Sequence, residues 1–64
     1  MPYKTIQELP LSVKILPRAA QEIWRRVFNR VIKTKPEIIA IKTAWSVVKQ
    51  FYQKNKNSKW VRKK

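Results

Sequence analysis

The side chains that most often perform catalysis or bind metals are scarce in this sequence. Histidine, cysteine and glycine are absent, and the three glutamates, Glu8, Glu22 and Glu37, lie well apart along the chain. Catalysis at neutral pH generally draws on histidine, cysteine, paired carboxylates or a serine beside a base. No base is identifiable for any serine, and a phosphate-binding loop requires glycine. We therefore predict a protein that is not an enzyme, has no metal site and needs no cofactor.

Basic side chains are the one strong functional signal. Sixteen lysines and arginines face three glutamates, which gives a formal net charge of +13. Such a chain is expected to bind polyanions, and arginine in particular matches phosphate with its forked guanidinium. Two segments concentrate the charge. The candidate nucleic-acid-binding residues are Arg18, Arg25, Arg26, Arg30 and Lys33 in an arginine ridge, and Lys54, Lys56, Lys59, Arg62, Lys63 and Lys64 in a basic tail.

Each basic segment also has an ordinary interpretation. The ridge can be a solvated helix face, although Glu22 is its only acidic neighbour for pairing with Arg25 or Arg26. The tail can be a solubilising or nuclear-localising run. No helix-turn-helix, zinc-finger or RNA-binding sheet motif is present, so the predicted contacts are with phosphates and carry no base specificity.

Two long helices must position these charges. Apolar residues recur three and four positions apart over residues 17–33 and again over residues 35–54, which is the period of a helix face. Pro17 suits the first turn of the first helix, and Thr34 with Glu37 fits a capping box for the second. The expected core side chains are Trp24, Phe28, Trp45 and Phe51.

The two chain ends are less regular. Residues 1–10 predict an extended arm in which Tyr3 either docks on the core or frays, and residues 11–16 predict a short helix. Residues 55–64 predict a basic tail, where Trp60 either folds back, pairing as a strand with residues 3–6, or stays free to stack on a ligand.

We predict one small, mainly α domain over residues 1–64. It has two long packed helices, a short N-terminal helical turn and a small β pairing of the chain ends. No apolar run reaches the length of a membrane span, and the first residues lack the apolar core of a secretory signal. The chain is therefore expected to be soluble and intracellular, while its oligomeric state is left open.

The chain resembles the ChaB family over nearly its whole length. The most specific matching residues are Pro2-Tyr3, Leu-Pro at 9–10 and 16–17, Ala20-Gln21 with Ile23-Trp24, Phe28-Asn29, and Ala44-Trp45 with Val48-Lys49. The resemblance implies a compact helical domain whose long helices pack together. Cellular members carry the label of cation transport regulator, without a site that can be carried over.

Two departures from the cellular members shape the functional hypothesis. Those members have a longer, acidic connection between the helices, whereas residues 34–37 make the connection here, and this chain is far more basic. It is most similar to the short basic ChaB-like proteins of baculoviruses, a resemblance that implies DNA binding and, if the chain is viral, a place in the host nucleus or virion.

Three functional hypotheses follow. The first is a module that binds nucleic acid, chiefly double-stranded DNA, non-specifically through phosphate contacts. The second is a regulatory adaptor that binds an acidic protein or transporter surface, as a cation transport regulator would. Peripheral binding to an anionic membrane ranks lowest, because the apolar stripes are expected to be used in the core.

Overall fold

Two helices of similar length form the body of the fold, which the computed structural model describes over residues 3–63. Helix α2 (Arg18–Val31) packs along helix α3 (Glu37–Phe51). Ahead of them lie a 3-10 turn (Ile6–Glu8) and a single-turn helix, α1 (Leu11–Lys14). Both short elements contact α2.

A two-stranded antiparallel sheet follows the helices. Strand β1 (Tyr52–Lys54) pairs with β2 (Trp60–Arg62), with Gln53 opposite Val61. The predicted fold class, mainly α with a small β pairing, is confirmed. The strand partner is different from the one predicted, because β2 pairs with β1 and residues 3–6 contribute no strand.

Small side chains allow the two long helices to approach closely. Ala20 on α2 and both Ala40 and Ala44 on α3 are fully buried, and beside them Trp24 and Phe28 fill the volume. Burying such large aromatic rings is the main stabilising contribution available to a domain of this size. The alanine stripe of α3 is therefore the face that meets α2.

The N-terminal arm is docked along α2. The Asn29 side chain accepts a hydrogen bond from the Tyr3 backbone N–H (2.8 Å) and donates one to the Tyr3 carbonyl oxygen (2.7 Å). The Tyr3 ring centroid lies 5.0 Å from that of Phe28. Docking of Tyr3, one of the two alternatives, is thereby confirmed. The arm is not extended throughout, since residues 6–8 form the 3-10 turn and the Glu8 carboxylate accepts a hydrogen bond from the Lys4 N–H (3.0 Å).

A series of contacting aromatic rings runs from the core to the hairpin. Trp24 stacks on Phe28 at 5.1 Å between ring centroids, and meets Trp45 edge-on at 6.3 Å. Trp45 is half-buried and in turn contacts Trp60 at 5.8 Å. Trp60 therefore packs on the protein through β2 instead of standing free in a tail.

The predicted helix boundaries need correction beside the turn that connects α2 and α3, and at the end of α1. α2 ends at Val31 instead of residue 33, because the Thr34 and Lys35 N–H groups both donate to the Val31 carbonyl and close a turn. The capping box is not formed. α3 begins after Pro36, whose backbone is extended (φ −61°, ψ 158°), and no side chain caps its first turn. The short helix likewise stops at Lys14.

The end of α3 differs from the prediction in three respects. Tyr52 turns extended (φ −134°, ψ 154°), so the helix ends at Phe51 instead of residue 54, and residues 60–62 of the expected tail form β2. Phe51 was expected in the core but is 46% exposed, whereas Tyr52 is 5% exposed. The change from helix to strand redirects the side chains, which turns Tyr52 inward and leaves Phe51 at the surface.

Candidate functional site

Few carboxylates are available to the basic residues within the fold. Among residues 3–63 a single ion pair is formed, between Arg25 Nε and Glu22 Oε1 at 3.4 Å. Glu8 binds the backbone of the arm, and Glu37 lies in the first turn of α3, where the helix dipole favours negative charge. The surplus positive charge therefore faces solvent or a partner.

Arg25, one of the predicted ridge residues, is engaged within the fold. One guanidinium nitrogen, Nη1, donates to the carbonyl oxygens of Tyr3 and Lys4, both at 3.4 Å. Its side chain is 23% exposed. Arg25 thus links the arm to α2.

The remaining ridge residues line several depressions of the surface. Arg18 lies beside the N-terminal arm, together with Lys4 and Gln21. Arg30 and Lys33 lie at the turn between the long helices, near the exposed Ile39. Arg26 faces a third region, next to the hairpin. Arg18, Arg26 and the pair Arg30 and Lys33 therefore have different neighbours along α2.

The predicted tail residues are carried by the hairpin. Lys54 lies with its Nζ 5.7 Å from the centre of the Trp60 ring, a cation–π distance, and Lys63 lines the same shallow depression. Lys56 and Lys59 are exposed in the connecting loop. Lys64 lies outside the described residues.

The hairpin loop is shaped by the Asn55 side chain. Its Oδ1 accepts hydrogen bonds from the N–H groups of Asn57 (2.9 Å) and Lys59 (3.0 Å). Ser58 has a φ of 61°, a left-handed conformation that usually favours glycine, which the chain lacks. This loop determines where β2 and Arg62 lie.

A concave surface lies between α2 and the hairpin, and we call it the α2–hairpin groove. Its volume is about 460 Å³. The lining residues are Ala19, Glu22, Ile23, Arg26, Phe51, Tyr52 and Arg62. Apolar side chains make most of its surface, and two arginines from different elements stand on it. Such a combination suits a ligand that has both an apolar and an anionic part.

The described residues offer neither a metal site nor a membrane span. No group of three or more acidic side chains is clustered in residues 3–63. Within the same range no helix is long and apolar enough to cross a bilayer.

Comparison with known proteins gives the family. The sequence profile of the ChaB family matches residues 9–63. The chain belongs to the ChaB family. The proteins named "Putative cation transport regulator ChaB" from Escherichia coli K12 and from Shigella flexneri are each 40% identical to it, over 98% of this chain and 99% of theirs.

A solved ChaB structure agrees with the fold. The NMR solution structure of a protein of the same name matches with a TM-score of 0.77 and 37% identity, over 98% of this chain and all of that one. Agreement over almost the whole of both chains means that the ChaB domain accounts for the arm, the helices and the hairpin together.

These relatives overturn the leading functional hypothesis. The prediction of a DNA-binding module is wrong, because the matching ChaB proteins are named for the regulation of cation transport and not for DNA binding. One ridge residue, Arg25, is in addition engaged within the fold by the arm and by Glu22.

Reasoning from the sequence missed the apolar part of the site. Phe51 and Ile23 were assigned to helix faces that pack in the core, and Glu22 was considered only as a neighbour of arginines. No periodic signal marks Phe51 as exposed, because its spacing continues the alanine stripe that packs on α2.

Proposed function

We propose that this chain is a regulatory adaptor of cation transport that acts by binding an acidic surface of a protein partner. The observation that carries the proposal is the imbalance between exposed cations and internal carboxylates. One arginine in residues 3–63 is ion-paired, whereas Arg26 and Arg30 on α2 and Arg62 on β2 are exposed. A surface of this charge attracts and orients an acidic partner.

The names of the family members support a cation transport protein as the partner. The relatives' name refers to the regulation of cation transport, and direct contact with a transporter is one way in which a small non-enzymatic protein regulates it. The cytosolic face of a transporter is therefore the partner surface we propose. An intracellular location and the absence of enzymatic activity are part of the same proposal, and rest on the charge and on the chain's lack of histidine and cysteine.

The similarity to the short baculovirus proteins stays a prediction. It rests on the basic character of the chain and on the short connection between α2 and α3. A viral origin would place the same adaptor activity inside an infected cell.

Cross-linking in living cells tests the proposed function. The chain would be expressed with an affinity tag in E. coli that lacks its own ChaB, cross-linked, and its partners identified by mass spectrometry. We expect a cation transport protein to be enriched, and cation flux to differ between cells with and without the chain.

A matched pair of variants separates a specific interaction from unspecific charge. Replacement of Arg26, Arg30 and Arg62 by Gln should abolish the enrichment, whereas replacement by Lys keeps the charge and should retain most of it. Enrichment that lacks any cation transport protein, or that is unchanged in the Gln variant, would contradict the proposal.

A further inference from the structure

We propose that the α2–hairpin groove binds a short segment of the partner protein in which an apolar side chain is flanked by carboxylates. The apolar side chain would pack on Phe51 and Ile23, and the carboxylates would bind Arg26 and Arg62. This inference rests on the proposed function and specifies the partner's chemistry.

The apolar part of the groove is incomplete in the free protein. Phe51 is 46% exposed, although it directly precedes Tyr52, which is 5% exposed. Ile23 on α2 is half-buried beside it. A large aromatic ring left at the edge of a concave surface is typical of a binding site, since burying it against a ligand is favourable.

The size of the groove limits what it can accept. About 460 Å³ accommodates one or two large side chains and their backbone. The groove lies between one helix and a two-stranded hairpin, which makes it open along its length. A short segment of a protein chain fits these dimensions.

The charges around the groove favour an acidic segment. Arg26 comes from α2 and Arg62 from β2, and neither is ion-paired within residues 3–63. Glu22 also lines the groove, but its carboxylate is held by Arg25, with Oε2 3.5 Å from Nη2. Two guanidinium groups therefore outweigh one carboxylate that is already bound, and guanidinium groups bind carboxylates in a bidentate geometry.

A second copy of the chain is a poor occupant. Each chain has a formal charge of +13 and three glutamates. Of these, Glu8 and Glu22 are already engaged within the fold. Two such chains repel each other and have few carboxylates to offer the groove.

Titration with defined peptides, followed by NMR of the ¹⁵N-labelled protein, tests the proposal. The probe is the peptide Glu-Glu-Leu-Phe-Glu-Glu. One comparison peptide replaces every Glu by Gln, and the other replaces Leu-Phe by Ser-Ser. We expect the probe to bind about tenfold more tightly than either comparison peptide, because each lacks one of the two interactions. The amide shifts should concentrate at Ala19, Ile23, Phe51 and Arg62.

Variants of exposed residues test whether the groove binds the probe, and they should leave the protein folded. The double variant Arg26→Gln, Arg62→Gln and the single variant Phe51→Ala should each weaken probe binding by about tenfold. The control double variant Lys42→Gln, Lys49→Gln also removes two positive charges, but from exposed positions of α3 that do not line the groove. It should change the affinity for the probe by less than about twofold. Circular dichroism melting curves would show that each variant is folded.

Several outcomes would overturn the proposal. These are equal affinity for the probe and the Ser-Ser peptide, equal weakening by the control variant, and shifts that cluster away from the groove. Concentration-dependent dimerisation that shifts the same amides without peptide would assign the groove to a second copy. Saturation of the groove by vesicles of anionic lipid, in preference to the probe, would assign it to a membrane.

The two proposals fail separately. Loss of transporter enrichment together with intact probe binding would reject the adaptor function and leave the groove as a peptide site. Intact enrichment together with absent probe binding would reject the groove and leave the adaptor function with another surface.

Discussion

Arg25 and Arg26 are neighbours in the sequence but belong to opposite kinds of surface. Arg25 points to the side of α2 where the arm docks, and it binds Glu22 and two backbone carbonyls there. Arg26 points to the α2–hairpin groove and has no ion-pair partner in residues 3–63. We call these the closed side and the open side of α2.

The difference shows that position around the helix decides what a charge does. A step of one residue turns a side chain by about 100°, which is enough to move it from an internal network to a binding surface. Counting basic residues along a helix therefore overestimates the charge available to a partner. The predictions below test whether the closed side stabilises the fold while the open side is free to bind.

The largest expected effect comes from the core that underlies the closed side. Trp24 is 1% exposed and contacts Tyr3, Phe28 and Trp45, so Trp24→Ala should destabilise the protein by about 3–5 kcal/mol. That is most of the stability that a domain of this size has, and the variant should be largely unfolded at room temperature. Urea unfolding followed by circular dichroism measures it.

Phe51→Ala is the matching change on the open side. Because its ring is half exposed, we expect a loss of about 1 kcal/mol. Equal losses for the two aromatic residues would contradict the assignment of Phe51 to a surface groove.

An intermediate effect is expected where the arm is fastened. Asn29→Ala removes both hydrogen bonds to the Tyr3 backbone, and should reduce the free energy of unfolding by about 1–3 kcal/mol because two backbone groups lose their partners. Hydrogen exchange should show the arm amides opening more often, while those of β2 are unaffected. Faster exchange in β2 as well would mean that the closed and open sides are coupled.

The smallest effect separates the two neighbouring arginines. Arg25→Gln should cost about 1 kcal/mol, since it removes the contacts with the arm and with Glu22. Arg26→Gln should stay within about 0.5 kcal/mol, as is usual for an exposed side chain without a partner. Thermal melting of both variants under identical salt compares them, and a larger loss for Arg26 would reverse the assignment of the two sides.

The fold was largely predictable because it depends on periodic apolar residues. The stripe of α2 led correctly to Trp24 and Phe28, and prolines marked where the long helices begin. The capping box at Thr34 failed because a turn closed on the Val31 carbonyl competes for the same residues. Local signals of this kind are weak compared with the geometry that packs two helices together.

The site was not predictable in the same way. The change from helix to strand at Tyr52 depends on a pairing with β2 that has no periodic signature, and it is this change that exposes Phe51. Likewise the docking of the arm engages Arg25 through residues more than twenty positions away. Such features arise from contacts between distant segments, which composition and spacing do not specify.

The hairpin beside the groove is expected to open and close locally. β1 follows directly on the last residue of α3, and two strands alone are marginally stable in water. Contact of Trp60 with Trp45 and a hydrogen bond from the Lys63 N–H to the Phe51 carbonyl (2.8 Å) hold β2 in place. Because these contacts are few and two strands alone are only marginally stable, we expect β2 to open locally at a lower free energy than the whole domain. A ligand that bridges Arg26 and Arg62 would link β2 to α2. Ligand binding would then stabilise the closed hairpin, and a more stable hairpin would bind the ligand more tightly.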